Sequence, residues 1–78
     1  NEACVIDGSV SNSVLFSSVE IEEGAEVYNS VLLNGVKVKS GVKLYNCVVT
    51  SDMEITESIG KEDDDKVYLV STEGIEEE

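Results

Sequence analysis

Aliphatic or similar residues recur about every six positions along this chain: Cys4, Val10, Phe16, Ile21, Val27, Leu33, Val38, Leu44, Thr50 and Ile55. The steps run six, six and five, so three of them make 17. A second apolar set, Val14, Ala25, Val31, Val42 and Val48, follows four positions after half of the first. Neither a helical period nor a long alternation fits this spacing. A six-residue step marks a parallel β-helix, in which each hexad is one short strand plus one corner and three hexads close a triangular coil. Most of the aliphatic residues are β-branched Val or Ile, which suit pleated strands better than helices. An antiparallel meander stays open as an alternative, because Asn34-Gly35 also suits a hairpin turn.

The same period shows as a direct repeat. Residues 19–35 laid over residues 36–52 match at Val19/Val36, Gly24/Gly41, Tyr28/Tyr45, Asn29/Asn46 and Val31/Val48. One period earlier, Val10-Ser11-Asn12-Ser13-Val14-Leu15 lies over Val27-Tyr28-Asn29-Ser30-Val31-Leu32. A short fixed period means one unit stacked on copies of itself, each closing the core of the next. The expected coils are 4–20, 21–37 and 38–54, with a remnant at 55–60, giving a β-helix domain over 1–60. Stacking in register puts Asn12, Asn29 and Asn46 in one structural column at a corner, where Asn tolerates the left-handed backbone and one amide can bond the next. Tyr28 and Tyr45 should stack beside it. Gly24, Gly41 and Gly35 supply corners where a Cβ would crowd.

Residues 61–78 read as an acidic loop, one strand at 66–71 and a frayed terminus. The chain carries 17 acids against five lysines, for a net charge of −12, and residues 57–78 hold nine of those acids and two of the lysines. Such a surface repels phosphate backbones, so nucleic acid is not an expected partner. Glu62-Asp63-Asp64-Asp65 reads as a solvated loop, since consecutive acids lack the alternating spacing of a cation loop. Apolar runs fall short of membrane-spanning length and no signal-peptide core is present, so no membrane partner is expected. The chain starts mid-pattern without Met and reads as an excerpt of a longer protein whose missing neighbour would cap the first coil. Cys4 and Cys47 fall in different columns, Cys4 with Ile21 and Val38, Cys47 with Ser13 and Ser30. Coils one and three lie too far apart for a bridge between them, so two free thiols and a reducing, cytoplasmic compartment are expected.

Catalytic chemistry is not expected in these 78 residues. The absence of histidine excludes Ser/His/Asp and Cys/His nucleophiles, and two separated cysteines cannot assemble a zinc site. No cofactor is therefore expected within them. Lys37, Lys39 and Lys43 share one coil and one outward side, facing Glu20, Glu22 and Glu26 of the coil before. They read first as a cross-coil ion-pair ladder; the alternative is part of a site for a small anionic effector.

Ile21-Glu22-Glu23-Gly24-Ala25-Glu26-Val27 matches the hexapeptide pattern of left-handed parallel β-helices, and Val38-Lys39-Ser40-Gly41-Val42-Lys43 departs from it at the second position. The string Cys4-Val5-Ile6-Asp7-Gly8-Ser9-Val10-Ser11-Asn12-Ser13-Val14-Leu15-Phe16 resembles the start of a more particular domain. This is the C-terminal β-helix of bacterial glucose-1-phosphate adenylyltransferases (ADP-glucose pyrophosphorylases) and their regulatory paralogues in glycogen synthesis. Val27 to Leu32 and Lys66 to Ser71 also sit comfortably in that family. The resemblance implies an all-β, single-stranded left-handed parallel β-helix of about three coils. It implies a parent in which an N-terminal nucleotidyltransferase domain joins ATP and glucose 1-phosphate with magnesium, and no catalytic residue of that domain lies here. By the same resemblance the β-helix packs on its own catalytic domain, helps build a tetramer and helps shape an effector site. A freestanding scaffold module and the β-helix of another sugar-1-phosphate nucleotidyltransferase remain open alternatives.

Overall fold

In a computed structural model, described for residues 4–63 and 65–77, the chain is all-β and winds as a parallel solenoid of about four turns. Three sheets form its sides. The first stacks β1 (Val5–Ile6), β4 (Glu20–Ile21), β7 (Lys37–Val38) and β10 (Glu54–Ile55). The second stacks β2 (Ser9–Ser11), β5 (Glu26–Tyr28) and β8 (Lys43–Tyr45), and the third β3 (Val14–Leu15), β6 (Val31–Leu32) and β9 (Cys47–Val49). Every pairing among these ten strands is parallel. That removes the meander, since Asn34-Gly35 turns a corner and joins no hairpin.

The middle coils keep the 17-residue register, with Ile21 over Val38, Val27 over Leu44 and Leu32 over Val49. All six side chains are buried, as are Val19 and Val36. Each such aliphatic group withdrawn from water contributes roughly 1.5–3 kcal/mol. The interior of the third side differs from the expected phase by one residue. Leu15, Leu32 and Val49 point inward, whereas Phe16 is 45% exposed and Leu33 and Thr50 are half-buried. Likewise Ser30 and Cys47 are buried and Val14, Val31 and Val48 are not. The cause is the position of the five-residue step. The Asn corner bends on a single residue, while the other two corners use two-residue turns such as Asn34-Gly35 and Ser40-Gly41. The short step therefore runs from Val27 to Leu32, not from Phe16 to Ile21.

A second shift occurs in the first coil. Val5 pairs with Glu20 and Ile6 with Ile21, an offset of 15, before Ser9 and Glu26 resume the offset of 17. Ile6 therefore takes the place over Ile21 expected for Cys4, and Cys4 moves into line with Val19. The corner at Asp7-Gly8 is two residues shorter than the one at Glu22–Ala25. The fourth coil repeats the device, with Ile55 over Val38 but Ile59 bridged to Leu44. Gly8 makes the shortcut possible, because a Cβ there would lie 2.3 Å from the Ala25 carbonyl oxygen and 2.8 Å from that of Glu22.

The remnant at 55–60 opens a fourth coil that the C-terminal segment completes. After an excursion, β11 (Tyr68–Ser71) lies parallel on β9, pairing Tyr68 with Cys47 and Val70 with Val49. The strand expected at 66–71 is present in shortened form. Glu76 and Glu77, expected to fray together with Glu78, instead belong to β12 (Gly74–Glu77), antiparallel to β11 through the turn at Thr72-Glu73. Asp64 of the acidic run and Glu78 lie outside the described residues.

Two glycines separate two kinds of constraint. At Gly41 a Cβ meets nothing within 4 Å but φ is +77, so Gly41→Ala is expected to cost about 1 kcal/mol of backbone strain. At Gly8 the obstacle is packing, and Gly8→Ala is expected to cost about 1–3 kcal/mol as coils one and two are pushed apart. Urea unfolding of both variants should rank Gly8→Ala as the more damaging; the reverse order would contradict the tight first corner.

Candidate functional site

The candidate residues fall on two corners, two outer faces and the two ends of the solenoid. At one corner Asn12, Asn29 and Asn46 stand in a column with φ of 49, 51 and 54, the left-handed region that Asn adopts readily. Between Asn12 and Asn29 the column is tied through backbone and neighbouring hydroxyls, not from amide to amide. The Asn29 N–H donates to the Ser11 carbonyl at 3.0 Å and the Asn46 N–H to the Tyr28 carbonyl at 3.0 Å. One residue on, the Ser13 hydroxyl donates to the Ser11 carbonyl at 2.7 Å and accepts from the Ser30 N–H at 3.1 Å. The Ser30 hydroxyl donates to the Tyr28 carbonyl at 2.8 Å and accepts from the Cys47 N–H at 3.1 Å. This hydroxyl ladder was not anticipated as such; its signal was the small-residue column Ser13, Ser30, Cys47.

Tyr28 and Tyr45 stack as expected, with ring centroids 5.1 Å apart and planes 12° from parallel. The Tyr28 hydroxyl donates to the Glu26 carboxylate. That bond, desolvation and nearby acids push its pKa up to about 12.

The three lysines divide between two faces instead of sharing one. Lys37 and Lys39 belong to the first side, at β7 and its end, and Lys43 to the second, in β8. Lys39 is the centre of the ladder, with its Nζ 2.9 Å from Glu22 and 3.6 Å from Glu54. Lys37 lies 3.7 Å from Glu20 and Lys43 3.9 Å from Glu26. Glu22 also accepts from the Ser40 N–H at 3.1 Å, so its carboxylate bridges two coils at the corner. The Lys39 ammonium and then the Ser40 N–H hold the Glu22 pKa below the ordinary value, and Glu22 raises that of Lys39. Glu54 extends the ladder beyond the three expected acids, in the register column of Glu20 and Lys37.

Cys47 is buried, 1% exposed, and donates to the Tyr45 carbonyl at 3.3 Å. Burial pushes its thiol up to about 11, the opposite of an activated nucleophile. Cys4 and Cys47 are not joined by a disulfide. Among the described residues no trio of acidic or cysteine side chains is placed to hold a metal ion, and no helix is long and apolar enough to cross a membrane.

The first coil is different in kind. Between Cys4 and Val19 the single charged residue is Asp7, while Val5, Ile6, Val14 and Phe16 are 45–54% exposed. The Val5 and Asp7 N–H groups donate to the carbonyls of Val19 and Ile21, on the side of the second coil. Because neighbouring residues of a strand point to opposite flanks, the backbone of Ile6 faces away from coil two. An apolar surface and three strand edges thus meet at this end.

A family model described as GlmU-like, C-terminal hexapeptide, matches residues 1–76. No curated protein and no solved structure matches the chain.

Two measurements check the site. Glu22 has a folded pKa below its unfolded one, so its contribution is present above the unfolded pKa and is lost as pH falls through the folded value. Lys39→Gln is therefore expected to lower stability at neutral pH, with the difference from the parent vanishing below the carboxylate range; a difference that persists in acid would contradict the ion pair. Cys47 has a raised folded pKa, so its contribution is intact below pH 9.0 and is lost as pH rises toward 11. Cys47→Ser should extend the hydroxyl ladder, fold normally and flatten the loss of stability across that interval. Equal alkaline losses in parent and variant would exclude Cys47 as its source.

Proposed function

The chain belongs to the GlmU-like C-terminal hexapeptide family, and from that membership we propose that it is the C-terminal assembly and regulatory domain of a sugar-1-phosphate nucleotidyltransferase. Its own residues would perform no catalysis. Their work is to present a rigid prism whose first coil packs against a catalytic domain or a neighbouring subunit in a tetramer. The observation that carries this reading is the combination, at one end, of exposed Val5, Ile6, Val14 and Phe16 with strand edges and almost no charge. Such an edge invites covering by another part of a protein.

Within that class we favour glucose-1-phosphate adenylyltransferase of glycogen synthesis. The support is the string from Cys4 to Phe16, which runs through the shortened first corner and the start of the Asn column. The parent would use ATP and magnesium in a domain outside these residues.

The test is to express the chain with the coding sequence that precedes it in its gene and supply ATP with glucose 1-phosphate. Formation of ADP-glucose and pyrophosphate is the expected result. Turnover of a different sugar phosphate or nucleotide would keep the family and overturn the glycogen assignment. No turnover with any sugar 1-phosphate would favour a scaffold module.

A further inference from the structure

The two ends of the solenoid are chemically opposite, and the C-terminal one carries a hollow that the assembly role does not use. A cavity of about 290 Å³ opens between the fourth coil and the β11–β12 hairpin. It is lined by the buried Ile55, Ile59 and Val70 and by the exposed Ile75, Thr56 and Glu57. Its volume falls just below the usual small-molecule range of about 300–1,000 Å³ and suits inserted side chains better than an extended ligand. Ile75 is 56% exposed beside it.

Beside the hollow runs a strand with one open flank. Among the described residues β10 pairs with β7 alone. The carbonyls of Met53 and Ile55 accept from Lys37 and Lys39 in the coil before. The intervening Glu54 therefore points its backbone N–H and C=O outward, where an extended chain could pair. The charge around this edge is one-sided: from Glu54 onward the sequence holds ten acids and two lysines. One of those lysines, Lys66, lies 2.6 Å from Glu77. A second copy presenting the same end would bring like charges together, whereas a basic strand would meet complementary charge.

We propose that this end binds an extended segment of a partner protein in which apolar residues alternate with Lys or Arg. The segment adds a strand to β10, places an aliphatic side chain in the hollow against Ile55, Ile59 and Ile75, and turns its basic residues toward the acidic rim. Backbone pairing supplies affinity and the hollow supplies selectivity, the division of labour found in strand addition generally.

The probe is an acetylated, amidated hexapeptide, Lys-Ile-Lys-Ile-Lys-Ser, titrated into the 78-residue chain and followed by amide shifts. The shifts are expected at residues 53–59 and 74–77, and a Lys-Ser-Lys-Ser-Lys-Ser peptide of equal charge should bind roughly tenfold more weakly. Thr56→Trp, which fills the hollow from an exposed position, should weaken the first peptide by a similar factor. Ile75→Ser, on an exposed strand, should do the same and serves if the tryptophan variant does not fold. Equal binding of the two peptides, or shifts centred on residues 61–66, would mean charge attraction alone and overturn the proposal. It would also be overturned if sedimentation showed the chain pairing with itself and Thr56→Trp abolishing that pairing, since the occupant would then be a second copy.

Discussion

Everything in this structure depends on the backbone bending three times per turn at fixed residues. A strand of two or three residues buries almost nothing by itself. It becomes a core only if the next turn returns in register 4.7–4.9 Å away, roughly one strand spacing. Left-handed residues set that return. Asn12, Asn29 and Asn46 occupy one corner, Ser18, Gly35 and Asp52 a second, and Gly24 and Gly41 the third. With those columns aligned, Val19, Ile21, Val27 and Leu32 fall on Val36, Val38, Leu44 and Val49 and form a buried apolar interior.

In-register stacking has a second consequence, because each side chain lies over its counterpart. A repeated acid would sit over an acid, and like charges directly opposite destabilise a sheet. The chain answers by alternating sign, so that Glu20, Lys37 and Glu54 form one column and Glu26 and Lys43 another. Where the repeat is kept unchanged it uses side chains that gain from stacking on themselves, the Tyr28–Tyr45 rings and the Ser13–Ser30 hydroxyls. The departure of Val38-Lys39-Ser40-Gly41 from the hexapeptide pattern thus has a physical reason: Lys39 bridges Glu22 and Glu54.

That logic shows what the sequence could and could not reveal. Parallel coils, the Asn column, the tyrosine stack and the ion ladder were legible, since a 17-residue repeat names the residues that must meet. The phase of the third side was not, because Phe16 and Leu33 are as apolar as their neighbours Leu15 and Leu32, and Thr50 beside Val49 is the one pair whose polarity differs. Only the single-residue bend at the Asn corner decides between them. The shortened corners at Asp7-Gly8 and between Ile55 and Ile59 were hidden for a related reason. Each removes two residues from a turn without changing the hydrophobic character on either side, and Gly8 looks like any other glycine until its distance to the Ala25 carbonyl is known. β12 is not legible because Gly74–Glu77 takes its strand geometry from pairing with β11, against a composition of one glycine, one isoleucine and two glutamates.

A parallel solenoid has no natural end, so its termini must be managed by other means. The first and fourth coils cut the same corner by two residues, at Asp7-Gly8 and between Ile55 and Ile59, which draws that corner inward. Beyond this the ends diverge. The first coil keeps its strand edges and apolar groups uncovered and nearly free of charge, a surface suited to permanent cover. The last coil adds β12 in the opposite direction, so the third side no longer presents a parallel strand that could continue the spiral, and it displays Glu76 and Glu77 along the new edge. Charged edge residues discourage indiscriminate strand pairing. In the assembly we propose, a neighbour would cover the first end while the acidic last end would admit only a complementary one, so that the two ends of the solenoid would not be interchangeable.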